Sequence, residues 1–382
     1  MTDPVERPSA TEDESHRARV LEQLRRAADP DGFVPFDRFM DVALYGEGVG
    51  FYARAQSPFG REGDYYTAAH ASPLFGRTIA ERVRSILAAT PPGPPFRVLE
   101  IGPGDGVLGE TVLQGLAEDG AVRKRVEYVL VDRSPTLSVR AFERVSAAGR
   151  SLGIAVKAAG GVGADGPFTG VVLANEVLDA QPARRLLWDG AAWRDAGVRL
   201  TDDGFVPDTA PLDRPVPPPE LPRAPEPGTF VEVSPMAEAL LREVADHLVS
   251  GLFLVLDYGM EGSELVSAHP SGTLAAVRRH RFVDDPFVDP GTADLSVFVN
   301  FTRIRAAAAR AGLREVAFRG QAEALGAWGF PRLFEEALRA APSAEAEVRT
   351  RLAAKSLLFG FERFYALELA PPGSGGPSPT AR

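Results

Sequence analysis

The sequence predicts an α/β protein built on a doubly wound, Rossmann-like parallel sheet. The first indication is a set of short apolar runs separated by helical stretches, at 97–101, 128–131, 171–174 and 252–256. Continuous apolar strands of this kind are typical of a parallel sheet covered by helices on both faces. A glycine-rich turn directly after the first run is the second indication. The third is an acidic or amide residue directly after each of the other three runs.

The region before this sheet, at 19–92, is predicted to be mostly helical and to cover the cleft. Its first helix starts near Val20, because Val20, Leu21 and Leu24 are spaced as on one helical face. The polar stretch at 1–18 is predicted to be disordered. A further helix is expected from Pro73 to Ala89, where a cluster of prolines ends it.

The predicted core at 93–260 contains an insertion at 185–228. A hairpin is expected at 185–200, with Asp189-Gly190 as its turn. The proline-rich stretch at 207–227 is predicted to be a loop or cover, since proline cannot pair in a central strand.

The C-terminal region at 261–370 is predicted to add helices and a closing strand. We expect an irregular segment to about residue 298, helices at 301–311, 321–325 and 331–341, and a strand at 363–369. The tail at 371–382 has low complexity and is predicted to be disordered.

The composition indicates a globular protein with an acidic surface. The net charge of −10 at pH 7 and the lack of a dense basic run oppose binding to nucleic acid. No stretch approaches 18 uninterrupted apolar residues and the N-terminus has no apolar signal region, so we expect no membrane insertion and a cytoplasmic location. With no cysteine and five scattered histidines, neither a thiolate nucleophile nor a metal site is expected.

The glycine-rich turn runs from Glu100 to Gly106. A dinucleotide-binding loop would need a third glycine where Val107 stands, and the carboxylates of Glu100 and Asp105 would repel a pyrophosphate. A cofactor with an ammonium and a sulfonium group, and no phosphate, would instead be favoured. S-adenosylmethionine (SAM) meets both conditions and is the predicted cofactor. The residues predicted to bind it in this turn are Glu100, Gly102, Pro103 and Gly104.

Further candidate residues follow the other predicted strands. Asp132 comes after the second strand, where a carboxylate can accept hydrogen bonds from both ribose hydroxyls, and Asn175 and Glu176 come after the third. All three residues are predicted to bind the cofactor. If a helical turn starts there, Glu176 and Asp179 project to one side and could clamp a cation or accept a proton. Asp257 follows the next strand, and we predict Glu176, Asp179 and Asp257 as catalytic. The structural alternative for these carboxylates is a helix cap, a first-turn charge or a turn residue.

Together these motifs resemble the MidA family of SAM-dependent methyltransferases, whose mitochondrial members are respiratory complex I assembly factors that act on a protein arginine. Before the glycine-rich turn the matching motifs are Phe39-Met40, Leu44-Tyr45, Gly50-Phe51-Tyr52, Gly63-Asp64-Tyr65 and Pro73-Leu74-Phe75-Gly76. From that turn onward they are Glu100-Ile101-Gly102-Pro103-Gly104, Asn175-Glu176-Val177-Leu178-Asp179, Asp257-Tyr258-Gly259 and Pro290-Gly291-Thr292-Ala293-Asp294-Leu295. The resemblance implies a class I methyltransferase sheet with an added N-terminal helical region and a C-terminal helical insertion.

The resemblance also implies which residues meet the cofactor and which line the cleft beside it. Gly102, Gly104 and Asp132 would belong to the cofactor site, while Asp64, Glu176 and Asp257 would line the adjoining cleft. The residues predicted for the substrate side of the cleft are Asp64, Tyr65, His70, Tyr258 and His280.

The chain departs from the family in two segments on the substrate side, at 69–70 and at 296–301. It has Ala69-His70 where the family commonly has Pro-Glu, and Asn300-Phe301 where the family has Asp-Phe, while Ser296 replaces a threonine. These changes leave the predicted cofactor site intact and bear on the methyl acceptor.

Three functions are compatible with these residues. The first is a SAM-dependent methyltransferase acting on a protein arginine or another nitrogen or oxygen nucleophile. The second is a small-molecule O- or N-methyltransferase of a biosynthetic pathway, and the third is a SAM-binding assembly factor with little turnover. The expected partner is therefore a protein or small-molecule methyl acceptor, and self-association as a homodimer is left open.

Overall fold

The computed structural model of the protein describes residues 10–54, 67–212 and 225–372, with side chains from residue 14 onward. The helices are α1 (Ala10–Ala27), α2 (Phe36–Tyr45), α3 (Ala68–Ala71), α4 (Pro73–Ala89), α5 (Val107–Leu116), α6 (Gly120–Arg123), α7 (Pro135–Leu152), α8 (Pro235–His247), α9 (Gly262–Ala268), α10 (Phe301–Arg310), α11 (Gln321–Ala327), α12 (Phe330–Arg339) and α13 (Ala344–Phe359). The strands are β1 (Phe33–Pro35), β2 (Phe96–Ile101), β3 (Val126–Val131), β4 (Ala155–Ala159), β5 (Phe168–Asn175), β6 (Arg184–Trp188), β7 (Trp193–Thr201), β8 (Gly204–Pro211), β9 (Phe230–Val233), β10 (Leu248–Met260), β11 (Ala275–Arg278), β12 (Arg281–Phe282), β13 (Asp294–Ser296), β14 (Val299–Asn300), β15 (Arg314–Gly320) and β16 (Phe364–Ala370). A short 3₁₀ turn covers Phe51–Ala53.

The central sheet has the strand order β15-β16-β10-β5-β2-β3-β4. Strands β4, β3, β2, β5 and β10 run parallel, whereas β16 is antiparallel to both of its neighbours. From β2 the chain adds β3 and β4 toward one edge of the sheet. It then returns to the other side of β2, where β5 starts the second half of the sheet. The cleft outside the carboxyl ends of β2 and β5 is therefore the topological switch point at which open α/β sheets bind ligands.

Helices cover the central sheet on both faces, as its apolar strands predict. On one face, buried side chains of α4 and α5 pack against Val98 and Val171 in the strands. On the other face, α8 and α10 pack against Val172 and Phe253. The doubly wound fold class expected from the sequence is confirmed.

Three helices of the core begin at a Ser-Pro pair. Ser72, Ser134 and Ser234 each cap a helix whose first residue is proline, and each side-chain oxygen accepts a backbone N–H of the first turn at 3.1–3.3 Å. A serine cap stabilises a helix start by about 1 kcal/mol, and proline fits the first position because its missing N–H has no partner there. These caps set where α4, α7 and α8 begin, and the predicted bounds of α4 are confirmed.

A second sheet, with the order β1-β7-β6-β9 and with β8 beside β7, packs with α1 and α2. The hairpin predicted at 185–200 is confirmed as β6 and β7, where Trp188 pairs with Trp193. The carboxylate of Asp189 accepts the N–H groups of Ala191 and Ala192 at 2.8 Å each and thereby fixes the turn.

The proline-rich stretch is a strand at its start rather than a loop. Strand β8 pairs only with β7 among the described residues, and Pro207 lies opposite Val198. Proline is tolerated in an edge strand because its nitrogen, which has no N–H, can face away from the neighbouring strand, where no hydrogen bond is needed. The part of the predicted loop at 213–224 lies outside the described residues.

The N-terminal prediction is wrong for 10–18, where α1 has already begun at Ala10. A mostly polar segment can form a helix when a few apolar residues on one face are buried against a neighbouring element. In α1 these residues are Val20 and Leu24, which are buried against α2. His16 also contacts the carbonyl oxygen of Pro290 at 3.1 Å. Residues 1–9 and 373–382, which were predicted to be disordered, lie outside the described residues.

The C-terminal region contains more regular structure than predicted. The segment at 261–298 is not irregular, since it forms α9 and a three-stranded sheet of order β12-β11-β13. Strands of two to four residues show no measurable alternation, so the sequence pattern could not reveal them. Helix α13 was not predicted, because the exposed apolar residues Val348, Leu352 and Phe359 hide the helical spacing of its buried residues. Strand β15 was not predicted, because none of its residues is buried. The closing strand predicted at 363–369 is confirmed as β16.

Candidate active site

A cavity of about 460 Å³ lies at the carboxyl edge of the central sheet, where the strand order reverses. One wall of the cavity comes from the central sheet, its helices and the turns that follow its strands, and the other wall comes from the N-terminal region. The predicted residues that line it are His70, Glu100, Gly102, Pro103, Gly104, Asp132, Asn175 and Glu176. The sequence therefore identified a set of residues that the fold brings together.

The glycine turn after β2 needs glycine for its backbone conformation. Gly102, Gly104 and Gly106 have φ angles of +62°, +58° and +82°, in the left-handed region that L-residues with side chains rarely adopt. A Cβ on Gly102 would lie 3.0 Å from Cγ2 of Val177. The turn therefore presents bare backbone to the cavity and leaves room for a ligand to approach it.

Glu100 is a buried carboxyl behind this turn, with only 2% of the residue exposed. The hydroxyl of Tyr128 donates to its Oε2 at 2.8 Å, and a Cβ on Gly109 would lie 2.7 Å from the same atom. Burial raises the pKa of Glu100 to about 7, although the Tyr128 hydrogen bond opposes the rise. A positively charged ligand in the cavity would favour its ionised form.

Asp132 lies at the end of β3, as expected for a residue that binds ribose. The N–H of Ser134 donates to its Oδ1 at 2.7 Å, and burial raises its pKa to about 6. Further along the cavity, Gly160 and Gly161 follow β4, and the apolar side chains of Met236 and Leu240 come from α8. A carboxylate acceptor beside a partly apolar wall fits the ribose and adenine of SAM, and the glycine turn fits its amino-acid end.

His70 lines the cavity from the short helix α3 and contacts the glycine turn. Its Nε2 lies 3.3 Å from Oδ2 of Asp105, and its Nδ1 lies 2.8 Å from the hydroxyl of Thr67. Asp105 also pairs with Arg144 at 3.2 Å. The contacts with His70 and Arg144 outweigh burial and hold the pKa of Asp105 below its usual value. The histidine thus connects the N-terminal region to the glycine turn.

Glu176 projects into the cavity from a strained loop after β5. Its φ angle is +54°, which is unusual for a residue with a side chain, and its N–H donates to the carbonyl oxygen of Leu256 at 2.8 Å. Its Oε1 lies 3.4 Å from the N–H of Ala68 and 3.3 Å from the side-chain amide of Asn175. No donor in the described part of the chain reaches Oε2. Burial, reinforced by the charge of Asp179, raises the pKa of Glu176 to about 8.

Asp257 and Asp179 do not line the cavity, which corrects the prediction that both act there directly. Oδ2 of Asp257 accepts the N–H groups of Val177 and Leu178 at 3.1 and 2.8 Å, and Asp257 is fully buried. Asp179 is also buried, and its Oδ1 has no partner among the described residues. The chain does not form a helix after Glu176, so the two carboxylates three residues apart do not share a face. Asp257 is a residue that shapes the Glu176 loop.

Two of the other residues predicted for the substrate side, Tyr258 and His280, do not line the cavity. The hydroxyl of Tyr258 is hydrogen-bonded to Asp179 and Ser296, and its ring packs against Phe298 and Phe364. His280 is exposed in the turn between β11 and β12, away from the cavity, which corrects its assignment to the cleft. Asp64 and Tyr65 lie outside the described residues.

Several cavity residues were not predicted from the sequence. Tyr45 and Tyr52 come from the N-terminal region, where their place in an aromatic-rich motif was the only available signal. Arg133 follows Asp132, and its guanidinium lies 3.9 Å from the centre of the Tyr45 ring. The remaining unpredicted residues of interest are Gly160, Gly161, Gln181, Met236, Leu240 and Glu243.

The raised pKa of Glu176 predicts a pH-dependent difference in stability between the wild-type protein and Glu176→Gln. The folded state holds this proton up to about pH 8, whereas the unfolded chain releases it near the ordinary value of 4.5. Glu176 therefore contributes a term that lowers the free energy of unfolding as pH rises from about 4.5 to about 8. Urea denaturation without cofactor at pH 5 to 8.5 should show wild type losing stability relative to Glu176→Gln. Parallel curves would contradict the buried, protonated state.

The fold and this cavity together define a class I SAM-dependent methyltransferase. The sequence model of a family described as S-adenosyl-L-methionine-dependent methyltransferases matches residues 75–318. The chain belongs to this family, the MidA methyltransferases. It is a methyltransferase that uses SAM as its cofactor.

Similar proteins support this assignment across most of the chain. A superfamily member from Burkholderia thailandensis, crystallised with S-adenosyl-homocysteine, is 30% identical, with a TM-score of 0.84 over 98% of this chain and 97% of that chain. Protein arginine methyltransferase NDUFAF7 homolog, mitochondrial, of Drosophila melanogaster is 27% identical over 80% of this chain and 74% of its own length. Protein arginine methyltransferase NDUFAF7, mitochondrial, of Homo sapiens is 26% identical over 75% of this chain and 68% of its own length.

Proposed function

We propose that the methyl acceptor of this enzyme is the guanidinium group of an arginine in a protein. The observation that carries the proposal is the Glu176 carboxyl, which faces the cavity with Oε2 available to a ligand. A guanidinium offers a planar pair of N–H donors that matches a carboxylate, and its positive charge would pair with Glu176.

The electrostatics of the acceptor end favour a cation. Burial is the main reason that the pKa of Glu176 is high, and the charges of Asp179 and Asp294 raise it further. No described side chain forms an ion pair with Glu176, and the nearby Arg133 is held by Asp41 at 2.7 Å. A guanidinium beside Oε2 would supply the missing charge and convert Glu176 to its carboxylate form.

Aromatic side chains complete this end of the cavity. The rings of Tyr45 and Tyr52 lie 5.3 Å apart, and the hydroxyl of Tyr52 donates to Oδ1 of Asp294 at 2.9 Å. Tyrosine faces attract guanidinium groups, as the contact of Arg133 with Tyr45 already shows within this chain. Aromatic walls next to carboxylates provide a binding site for a planar cation.

When bound, SAM supplies an electrophilic methyl group on a positively charged sulfur. The glycine turn at 102–104 and Asp132 would hold the cofactor, and Glu100 would add negative charge behind the turn. Glu176 would bind an N–H of the acceptor through Oε2 and accept the proton that this nitrogen releases. The walls of the cavity would exclude water and orient the acceptor, which is where most of the rate enhancement of such a reaction arises.

The relatives support a protein acceptor. Those from Drosophila melanogaster and Homo sapiens are both named as protein arginine methyltransferases. The acid-rich end of the cavity fits the same acceptor chemistry, since it pairs better with a cation than with a neutral hydroxyl.

The proposal is tested by supplying the purified enzyme with labelled SAM and matched peptides that contain either one arginine or one lysine at the same position. We expect label in the arginine peptide and about tenfold less or none in the lysine peptide, because the ammonium lacks the planar pair of donors. Mass spectrometry of the product should place the methyl group on the guanidinium. Equal labelling of both peptides, or labelling of lysine alone, would contradict a guanidinium acceptor.

A further inference from the structure

Ser134 is hydrogen-bonded to two residues that line the cavity. Its backbone N–H donates to Oδ1 of Asp132 at 2.7 Å, and its hydroxyl donates to the carbonyl oxygen of Tyr52 at 2.7 Å. Asp132 and Tyr52 both line the cavity, whereas Ser134 is buried, with 4% of the residue exposed. A buried serine thus connects the carboxylate predicted to bind the ribose to an aromatic wall of the acceptor end.

Tyr52 is held by contacts at both its backbone and its side chain. It lies in the short 3₁₀ turn at Phe51–Ala53, and Ser134 binds its carbonyl oxygen. Its hydroxyl donates to Oδ1 of Asp294 at 2.9 Å. Asp294 is close enough to Glu176 for its charge to raise the pKa of Glu176. Tyr52 therefore belongs to the acceptor end of the cavity, and its position relative to Asp132 depends on Ser134.

The Ser134 hydroxyl makes two contacts that can be separated by substitution. Its oxygen accepts the N–H of Leu137 at 3.3 Å and so caps α7, while its proton is donated to Tyr52. A helix cap needs only the oxygen as an acceptor. The contact with Tyr52 is therefore additional to the cap, and its loss can be measured apart from the loss of the cap.

We propose that Ser134 is a positioning residue for methyl transfer, which fixes the acceptor wall at Tyr52 relative to the cofactor held at Asp132. Direct transfer requires the methyl group and the accepting atom to lie in line, and a misplacement of about 1 Å can lower such a rate about 100-fold. Two molecules bound to separate segments keep this alignment only if the segments are fixed relative to each other. The inference rests on the acceptor end assigned by the proposed function, and it applies to whichever acceptor binds there.

The kinetic test compares Ser134→Ala with Ser134→Gly. Both variants lose the hydroxyl that binds Tyr52 and keep the N–H that binds Asp132, but glycine at a helix cap costs less stability than alanine. With a methylated arginine peptide, we expect both variants to lower the single-turnover rate at saturating SAM and peptide about tenfold or more. The dissociation constant for SAM, measured by calorimetry, should change by less than about threefold, because the lost contact is not one with the cofactor.

Ser343→Ala is the matched control for the loss of a helix cap. Ser343 accepts the N–H of Ala346 at 3.2 Å at the start of α13 and is not among the described residues that line the cavity. This variant should lose stability and keep the wild-type rate. A rate loss in Ser134→Ala that Ser134→Gly does not share would come from the cap and overturn the proposal, as would full activity in both variants.

Hydrogen exchange measured by mass spectrometry gives a readout that does not depend on the acceptor. Bound S-adenosyl-homocysteine should slow amide exchange at 49–54 at least about threefold in the wild type, because Asp132 then holds Ser134 and Ser134 holds the backbone of Tyr52. In both Ser134 variants, saturating S-adenosyl-homocysteine should slow exchange at 102–106 and leave 49–54 unchanged.

Equal slowing at 49–54 in the wild type and both Ser134 variants would overturn the proposal, since the cofactor would then order this segment without Ser134. So would exchange at 49–54 that does not respond to S-adenosyl-homocysteine in the wild type. If slowing at 49–54 required Ser134 and the wild type methylated no arginine peptide, the arginine acceptor would be wrong and the role of Ser134 would stand.

Discussion

Gly102→Val is expected to weaken SAM binding by at least about 100-fold, or ~2.7 kcal/mol. Gly102 has a φ of +62°, which a β-branched residue adopts only with strain, and its Cβ would lie 3.0 Å from Val177. The turn would have to move away from the cavity, and the backbone surface offered to the cofactor would change. Calorimetric titration of both proteins with SAM and S-adenosyl-homocysteine measures the effect.

The control is Gly153→Val, which places the same residue at a similar backbone angle away from the cavity. Gly153 has a φ of +73° at the end of α7, and a Cβ there would meet no atom within 4 Å. We expect this variant to lose stability and still bind SAM with wild-type affinity. If both variants bound the cofactor equally well, the glycine turn would not be the cofactor site.

Glu176→Gln is expected to lower kcat by about 100-fold or more, with the dissociation constant for SAM changed by less than about threefold. Glutamine keeps the size of the side chain and one acceptor oxygen, so contacts like those with Ala68 and Asn175 can persist. It cannot accept the proton released by the acceptor or compensate the charge of a guanidinium. Rates at saturating SAM and acceptor, together with calorimetry, separate the two effects.

The matched control for this variant is Glu232→Gln, another buried carboxyl outside the cavity. Glu232 accepts the N–H and hydroxyl of Thr273 at 3.0 and 3.1 Å and pairs with Arg185. Loss of this carboxylate in Glu232→Gln should lower the midpoint of thermal unfolding and leave kcat within about twofold of wild type. Equal losses of kcat and of SAM affinity in Glu176→Gln would assign Glu176 to the cofactor alone.

Most of the cofactor side could be predicted from the sequence, because its residues follow strands directly. Parallel strands bring their carboxyl ends to one edge, so a local pattern such as Glu100 to Gly104, or Asp132 after β3, already indicates a shared site. The acceptor side could not be predicted in the same way. Tyr45 and Tyr52 reach the cavity from a separate region, and Met236 and Leu240 come from a helix that begins more than 50 residues after Glu176.

The sequence by itself determined the fold class, the glycine turn and the chemistry of the cofactor. These depend on the spacing of apolar residues along the chain, on the backbone conformations that glycine allows, and on the charge of neighbouring residues. Only the tertiary structure decided where each carboxylate lies and what it contacts. Three acidic residues in similar positions have different surroundings, because Glu176 faces the cavity, Asp257 binds the backbone of the Glu176 loop, and Asp179 is buried behind that loop. Burial and orientation of a side chain depend on contacts between distant segments, which no local sequence pattern contains.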